Sequence, residues 1–192
     1  MFATRISTKT IHGEAYPAIS PLRPELSQAG NTVMITGGAT GIGYAMAEAF
    51  IQASAARVIL IGRRTEMIES AVTRLTAYGK QLSAPAQVVG HALDVADVES
   101  VNQLWSGLEQ DGIVVDVLVI NHVSPGDAAP LLTSGRDKIW YDYLVNVRAL
   151  IDLTEHLYKQ KTLGVVKKKV GILPFPSVCY SEAKDAIVPG EY

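Results

Sequence analysis

The run Thr36-Gly37-Gly38-Ala39-Thr40-Gly41-Ile42-Gly43 is the first place where residue type and spacing could do chemistry. Glycine tolerates a positive φ and, lacking a Cβ, lets the backbone approach a bulky anion. A helix that starts at Ile42 leaves its first N–H groups unpaired at the positive end of its dipole. A strand, such a turn and a helix in that order form a seat for a pyrophosphate. About 20 residues beyond the glycines, where a dinucleotide site reads the adenosine ribose, the chain has Arg63 and Arg64, with no acid before Glu66. An acid there would accept hydrogen bonds from both ribose hydroxyls. Two guanidiniums suit a 2′-phosphate instead, by charge and by bidentate geometry. A third group lies near the C-terminus, where Lys184 follows Tyr180 by one helical turn. A free phenol titrates near 10, and a cation beside it on a helix face favours the phenolate. Other chemistry has little support. His12, His91 and His156 are too dispersed for a metal site, and the single cysteine, Cys179, can form neither an internal disulfide nor a cysteine-based cluster. His122, with no acid beside it in sequence, reads as a polar loop residue rather than a general base.

Holding these groups requires a frame, and the apolar pattern supplies one. Short β-branched runs at Thr32–Thr36, Arg57–Ile61, Gln87–Ala92 and Val115–Ile120 read as strands, and the most apolar of them as buried on both faces. Helical patterns separate them. Ile42–Ala53 is rich in alanine. A second helix has Thr65 as its N-cap, Ile68, Ala71, Val72 and Leu75 on one face, and Gly79 as its stop. A third is capped by Asp97 and carries Val98, Val101, Trp105 and Leu108 as a stripe. A long helix over Ile139–Tyr158 is expected to turn Trp140, Leu144, Val147, Ile151 and Leu157 inward. Strand–helix alternation with right-handed crossovers predicts an α/β fold, a doubly wound parallel sheet of Rossmann type. The expected organisation is an irregular arm over residues 1–31, with Pro17, Pro21 and Pro24, followed by a nucleotide-binding domain over 32–192 whose C-terminal part is incomplete.

The order of these pieces resembles the short-chain dehydrogenase/reductase family. Thr36-Gly37-x-x-x-Gly41-x-Gly43 is similar to that family's cofactor fingerprint, and its spacing differs from G-x-G-x-x-G. Leu93-Asp94-Val95 resembles the strand end whose aspartate meets the adenine ring. Asn121 after Val117–Ile120 resembles the start of an Asn-Asn-Ala-Gly motif, although His122 and Val123 are bulkier than the residues that follow it there. Asn146-Val147 resembles the Asn-Val pair of the long helix, and Tyr180-x-x-x-Lys184 the catalytic Tyr-x-x-x-Lys. The resemblance implies a cofactor site made by Thr36, Gly37, Gly41, Ile42, Gly43, Arg63, Arg64, Asp94, Val95, Asn121, Tyr180 and Lys184. It also implies a catalytic set of Tyr180, Lys184 and Asn146. Tyr180 would exchange a proton with a carbonyl or alcohol oxygen, Lys184 would assist it and hold the nicotinamide ribose, and Asn146 would anchor a relay water. With the two arginines, the expected cofactor is NADP (NADPH), with NAD the weaker fit.

Three departures qualify that expectation. No serine or threonine occurs from Leu163 to Pro176, where the family carries the serine that polarises the substrate oxygen. Lys167-Lys168-Lys169 falls where a buried fifth strand is expected, and burying unpaired lysines costs several kcal/mol each. The strand is therefore expected to end at Val166, or the segment to loop outward. The chain also stops at Tyr192, before the family's remaining strands and substrate loop. The leading expectation is hydride transfer between NADP(H) and a small carbonyl or alcohol substrate. The alternative is an impaired nucleotide-binding remnant or an interaction subunit of a full-length relative. A homo-oligomer or completion by another chain is left open.

Composition bounds the rest. The 192 residues are 48% hydrophobic and 19% charged, which is enough apolar material for a core. A net charge of -2 gives no reason to expect a nucleic-acid or membrane partner. No apolar run approaches the roughly 18 residues that span a bilayer. A single cysteine suits a reducing compartment, so a cytoplasmic location is expected.

Overall fold

Within each central strand, successive side chains point to opposite faces of the sheet, and here both faces are apolar. In β1 (Thr32–Thr36), Val33 and Ile35 face one way and Met34 the other. In β2 (Arg57–Gly62), Val58 and Leu60 oppose Ile59 and Ile61, and in β4 (Val117–Ile120), Val117 and Val119 oppose Leu118 and Ile120. Such strands need cover on both sides. The computed structural model, which describes residues 16–84, 86–126, 129, 131–160 and 169–172, supplies it.

The sheet is fully parallel, in the order β3-β2-β1-β4-β5, with β3 at Gln87–Ala92 and β5 at Lys169–Ile172. Helices α1 (Gly41–Gln52) and α2 (Thr65–Gln81) cover one face, through Ala47, Ile51, Ile68, Ala71 and Leu75. Helix α3 (Val98–Gln110) and the later helices cover the other, through Val101, Leu104, Trp105, Val145, Ala149, Leu153 and Leu157. Each fully buried Leu, Ile or Val contributes about 1.5–3 kcal/mol. This is the doubly wound α/β architecture. Gly90 permits close packing at its edge, since a Cβ there would lie 2.2 Å from Ile68 Cγ2. Ahead of β1, two single 3₁₀ turns start at Pro17 and Pro24, and Gln28 N donates to Ala53 O at 2.7 Å. Residues 1–15 lie outside the described residues.

Several local expectations are corrected. Thr65 is the first residue of α2 and not its cap, a position taken by Arg64 without a side-chain bond. Gly79 does not stop that helix. It is buried inside it, where a Cβ would meet Ala84 O at 2.9 Å, and the chain turns at Ser83 with φ +54. Asp97 does cap α3, accepting from Glu99 N at 3.1 Å. Past the expected end at Val166, Lys169–Ile172 pairs with β4 as a strand and Val170 packs on the core, while Val166, Lys167 and Lys168 lie outside the described residues.

The long helix differs most. After a single turn α4 (Leu131–Ser134), it runs as α5 (Arg136–Tyr143), a π turn over Leu144–Arg148, and α6 (Ala149–Lys159). Its buried residues are Val145, Ala149, Leu153 and Leu157. Trp140 (61% exposed), Val147 (38%) and Ile151 (62%) face outward, against expectation. Apolar residues lie on two sides of this helix, so periodicity alone could not choose between them. The sheet selects the side with Ala149, whose small side chain lets the backbone come close, and the wide turn adds one residue to the spacing.

Candidate active site at the C-terminal ends of the strands

The turn after β1 is built almost wholly from backbone. Gly37 and Gly41 have φ +64 and +54, a region that costs other residues strain. Gly37 N donates to Ile61 O at 2.8 Å, which ties the turn to the end of β2. A Cβ on Gly43 would sit 2.2 Å from Gly37 O, so only glycine lets the first turn of α1 rest on the loop. Thr40 precedes α1 with an extended backbone and no side-chain cap bond. The first N–H groups of that helix therefore open into a cleft of about 310 Å³ lined by Thr40, Gly41 and Ile42. Positive-φ glycines, uncapped donors and an adjacent cleft suit a pyrophosphate.

The far rim of the same cleft is formed by the ends of β2 and β3. Arg63 and Arg64, both exposed, line it together with Leu93, Asp94 and Val95. Tyr141 of α5 lies between them. Its hydroxyl donates to Asp94 Oδ2 at 2.6 Å and accepts from Arg63 Nη1 at 2.9 Å. Burial raises the Tyr141 phenol above its usual range, reinforced by the Asp94 hydrogen bond and charge, while Arg63 acts the other way.

The end of β4 is held by side chains. Asn121 Nδ2 donates to Thr36 O and Gly37 O, both at 3.2 Å, and so props the glycine turn from behind. The Thr36 hydroxyl receives the backbone N–H groups of Asn121 and His122. The His122 ring spans from Thr36 Oγ1 (2.8 Å from Nδ1) to Val145 O in the π turn (3.0 Å from Nε2). A carbonyl can only accept, so Nε2 carries a proton; in the neutral ring Nδ1 then takes the one Thr36 hydroxyl proton at 2.8 Å, in competition with Val119 O at 3.3 Å. Burial lowers the His122 pKa, against the pull of Val145 O and the Asp94 charge. His122 is thus a bracket between strand and helix, with Asp94 close enough to be felt, and not the isolated loop residue expected. Beyond it, Asn146 pairs with Ser124 in both directions, Ser124 N donating to Oδ1 at 2.9 Å and Nδ2 to Ser124 O at 2.7 Å. The Ser124 hydroxyl donates to Asp142, which also holds Lys138 Nζ at 2.6 Å. Burial would raise the Asp142 pKa, but Lys138 and Ser124 bring it below the usual value.

A sequence model described as short chain dehydrogenase matches residues 31–173. The chain belongs to the short chain dehydrogenase family. Among its relatives, a short chain dehydrogenase of Monascus ruber is 35% identical over 141 residues, covering 73% of this chain and 46% of the relative. One of Pseudocercospora fijiensis is 30% identical over 183 residues, covering 91% and 57%. Among solved structures, L-sorbose reductase from Gluconobacter frateurii, complexed with NADPH and L-sorbose, is similar at a TM-score of 0.59 and 26% identity, over 69% of this chain and 48% of that one. The chain spans about half the length of the curated relatives it matches.

Of the residues that the family resemblance singles out, Gly37, Gly41, Ile42, Arg63, Arg64, Asp94, Val95 and Asn121 line the one cleft. Thr36 and Gly43 lie directly behind it, through the contacts above. Asn146 stands across the loop from it, bound to Ser124. Tyr180, Lys184, Ser177 and Cys179 lie outside the described residues. Sequence reasoning missed Tyr141, Ser124 and the His122 bracket. Nothing short of the fold brings Tyr141 to Asp94, and a tyrosine inside an apolar helix pattern carries no such signal. Among the described residues, no cluster of acidic, histidine or cysteine side chains could hold a metal, and no helix is long and apolar enough to cross a membrane.

Proposed function

We propose that this short chain dehydrogenase relative carries an NADP(H) site and takes part in hydride transfer between that cofactor and a small carbonyl or alcohol substrate. The observation that carries the reading is the pair Arg63 and Arg64 at the end of β2, on the rim of the cleft that the glycine turn opens into, with no acid at the corresponding place. The glycine turn and the first N–H groups of α1 would hold the pyrophosphate, the two arginines the 2′-phosphate, and Asp94 with Val95 the adenine side. When bound there, the nicotinamide would give up or receive the hydride. Tyr180 would donate the proton to the carbonyl oxygen as the substrate carbon gains hydride, or take it from the hydroxyl in the reverse direction. Lys184 would lower the cost of the phenolate. Asn146 keeps one Nδ2 proton and one Oδ1 lone pair beyond its Ser124 pairing, enough to hold a relay water. Further parts of this proposal are the nucleotide-binding domain over 32–192, a cytoplasmic location, and a homo-oligomer or a second chain completing the substrate wall.

The test is titration of the protein with NADPH and NADH by calorimetry. NADPH binds more tightly, and changing Arg63 and Arg64 together to alanine weakens NADPH by about 10- to 100-fold, since hydrogen bonds to charged groups contribute about 1.5–3 kcal/mol. NADH affinity stays within a factor of about two, because the lost contacts serve only the extra phosphate. Equal affinities of the starting protein for the two cofactors would sink the NADP reading.

A further inference from the structure

Beyond the backbone bond from Leu93 N to Gly62 O, the Tyr141 hydroxyl joins the side chains of the strand end expected to read the ribose and the strand end expected to read the base. Arg63 and Asp94 follow the ends of adjacent strands, while Tyr141 comes from α5, on the helical layer of the other half of the fold. Arg63 is exposed, and a long exposed arginine samples many rotamers unless something holds it. Here its Nη1 donates to Tyr141 Oη at 2.9 Å. The phenol in turn is fixed by donating to Asp94 Oδ2 at 2.6 Å. Asp94 itself is fixed, because its other oxygen accepts Ala96 N at 3.0 Å. The direction of the chain is set by proton count. A phenol has one proton, given to the carboxylate, and its lone pairs then face the guanidinium. The raised Tyr141 pKa agrees, since it keeps the phenol protonated at neutral pH. Four of the five guanidinium N–H donors remain for a ligand, including enough for a bidentate pair on a phosphate.

We infer that Tyr141 is a cofactor-specificity residue that acts by position: it holds the Arg63 guanidinium at the cleft rim, ready for the 2′-phosphate of the cofactor. The inference rests on the proposed role of Arg63 in that phosphate's recognition. It adds a residue from a different helix, and makes the preference depend on the α5 segment as well as on the strand end.

The experiment uses the full chain and four probes: NADPH, NADH, and the two adenosine-end fragments, adenosine 2′,5′-bisphosphate and 5′-AMP. Variants are Tyr141→Phe, Arg63→Ala and the double variant. Tyr141→Phe keeps the ring and removes only the hydroxyl, and its thermal midpoint reports folding. The expected result is a loss of about 3- to 10-fold for NADPH and the bisphosphate, in line with one hydrogen bond of about 0.5–1.5 kcal/mol. NADH and 5′-AMP change by less than a factor of about two, because neither carries the phosphate. In the Arg63→Ala background, Tyr141→Phe has no further effect on the NADPH/NADH ratio. Tyr141→His, which keeps a ring and a polar atom, falls between the two and serves if Tyr141→Phe does not fold. Equal weakening of NADPH and NADH would mean a merely structural role and overturns the inference. Unchanged or tighter NADPH binding in Tyr141→Phe overturns it as well, the latter because the tyrosine would then compete with the cofactor. If Arg63→Ala leaves NADPH binding intact, the phosphate reading fails and the inference falls with it. If Arg63→Ala weakens NADPH and Tyr141→Phe does not, the inference alone fails.

Discussion

The turn after β1 and the segment after β4 meet at Thr36, yet they are built from opposite materials. The first is shaped by what is missing. Gly43 leaves room for Gly37 O, Gly37 and Gly41 take the positive φ the turn needs, and the bonding groups within it are backbone. The second is held by side chains that reach across the fold. His122 bridges Thr36 and Val145, Asn121 props Gly37, and Asn146 fastens Ser124. The contrast teaches where each region is vulnerable. A backbone-built turn fails when atoms are added, whereas a bracket of side chains fails when atoms are removed.

The largest effect is expected from adding one methyl group. Gly43→Ala would force a Cβ to within 2.2 Å of Gly37 O, so α1 must move off the loop. The expected outcome is loss of nucleotide binding together with a destabilisation of about 1–3 kcal/mol, the usual cost of overpacking, read by denaturant unfolding. A stable Gly43→Ala variant with normal affinity would erase the contrast between the two regions.

Removal is the matching test on the other side. His122→Ala leaves Val145 O without its imidazole donor, while the Thr36 hydroxyl keeps Val119 O and two backbone N–H groups; it should cost about 1–3 kcal/mol, as an orphaned buried polar group does. A pH series sharpens it. Burial holds the native His122 below its ordinary value of 6.5. As pH falls below that value, the unfolded chain takes a proton that the folded protein resists, so stability declines toward acid. His91 and His156 are lowered in the same sense. His122→Asn should therefore flatten the decline only in part, and an unchanged slope would show that the bracket is not titrating. The smallest effect is expected at the rim of this region. Ser124→Ala removes the hydroxyl contact to Asp142, but Lys138 remains as a partner. It should cost less than about 1 kcal/mol, the scale of partly exposed polar pairs, and a larger loss would make Ser124 part of the bracket.

The same contrast explains what could be read from the chain before its fold. The glycine turn was legible because its requirements are local: a strand, positive-φ positions and a helix lie within a dozen residues of one another. The four central strands were legible for the same reason, and so was Asp97, whose capping bond reaches only two residues ahead. The bracket was not, because His122 and Thr36 are 86 residues apart and either one alone looks unremarkable. Thr65 and Gly79 were misread from residue preference, which burial at Gly79 and the extended cap position at Arg64 overrode. The inward face of the long helix was misread because Val147 and Ile151 are as apolar as Val145 and Leu153. Only the sheet distinguishes the two sides.

The wide turn at Leu144–Arg148 has one further consequence. A π turn accommodates one more residue than an α turn would. Each residue of a regular α-helix turns it by about 100°. Because the wide turn already takes up one extra residue, closing it into regular α form would absorb the loss of a single residue between 144 and 148 with little net rotation, leaving Tyr141 beside Asp94 and α6 seated on the sheet. An inserted residue would have no such slack and would swing Tyr141 away from Asp94 and Arg63 by about that angle. Chain length in this stretch therefore has a one-way tolerance: a single deletion should be accepted where a single insertion is not.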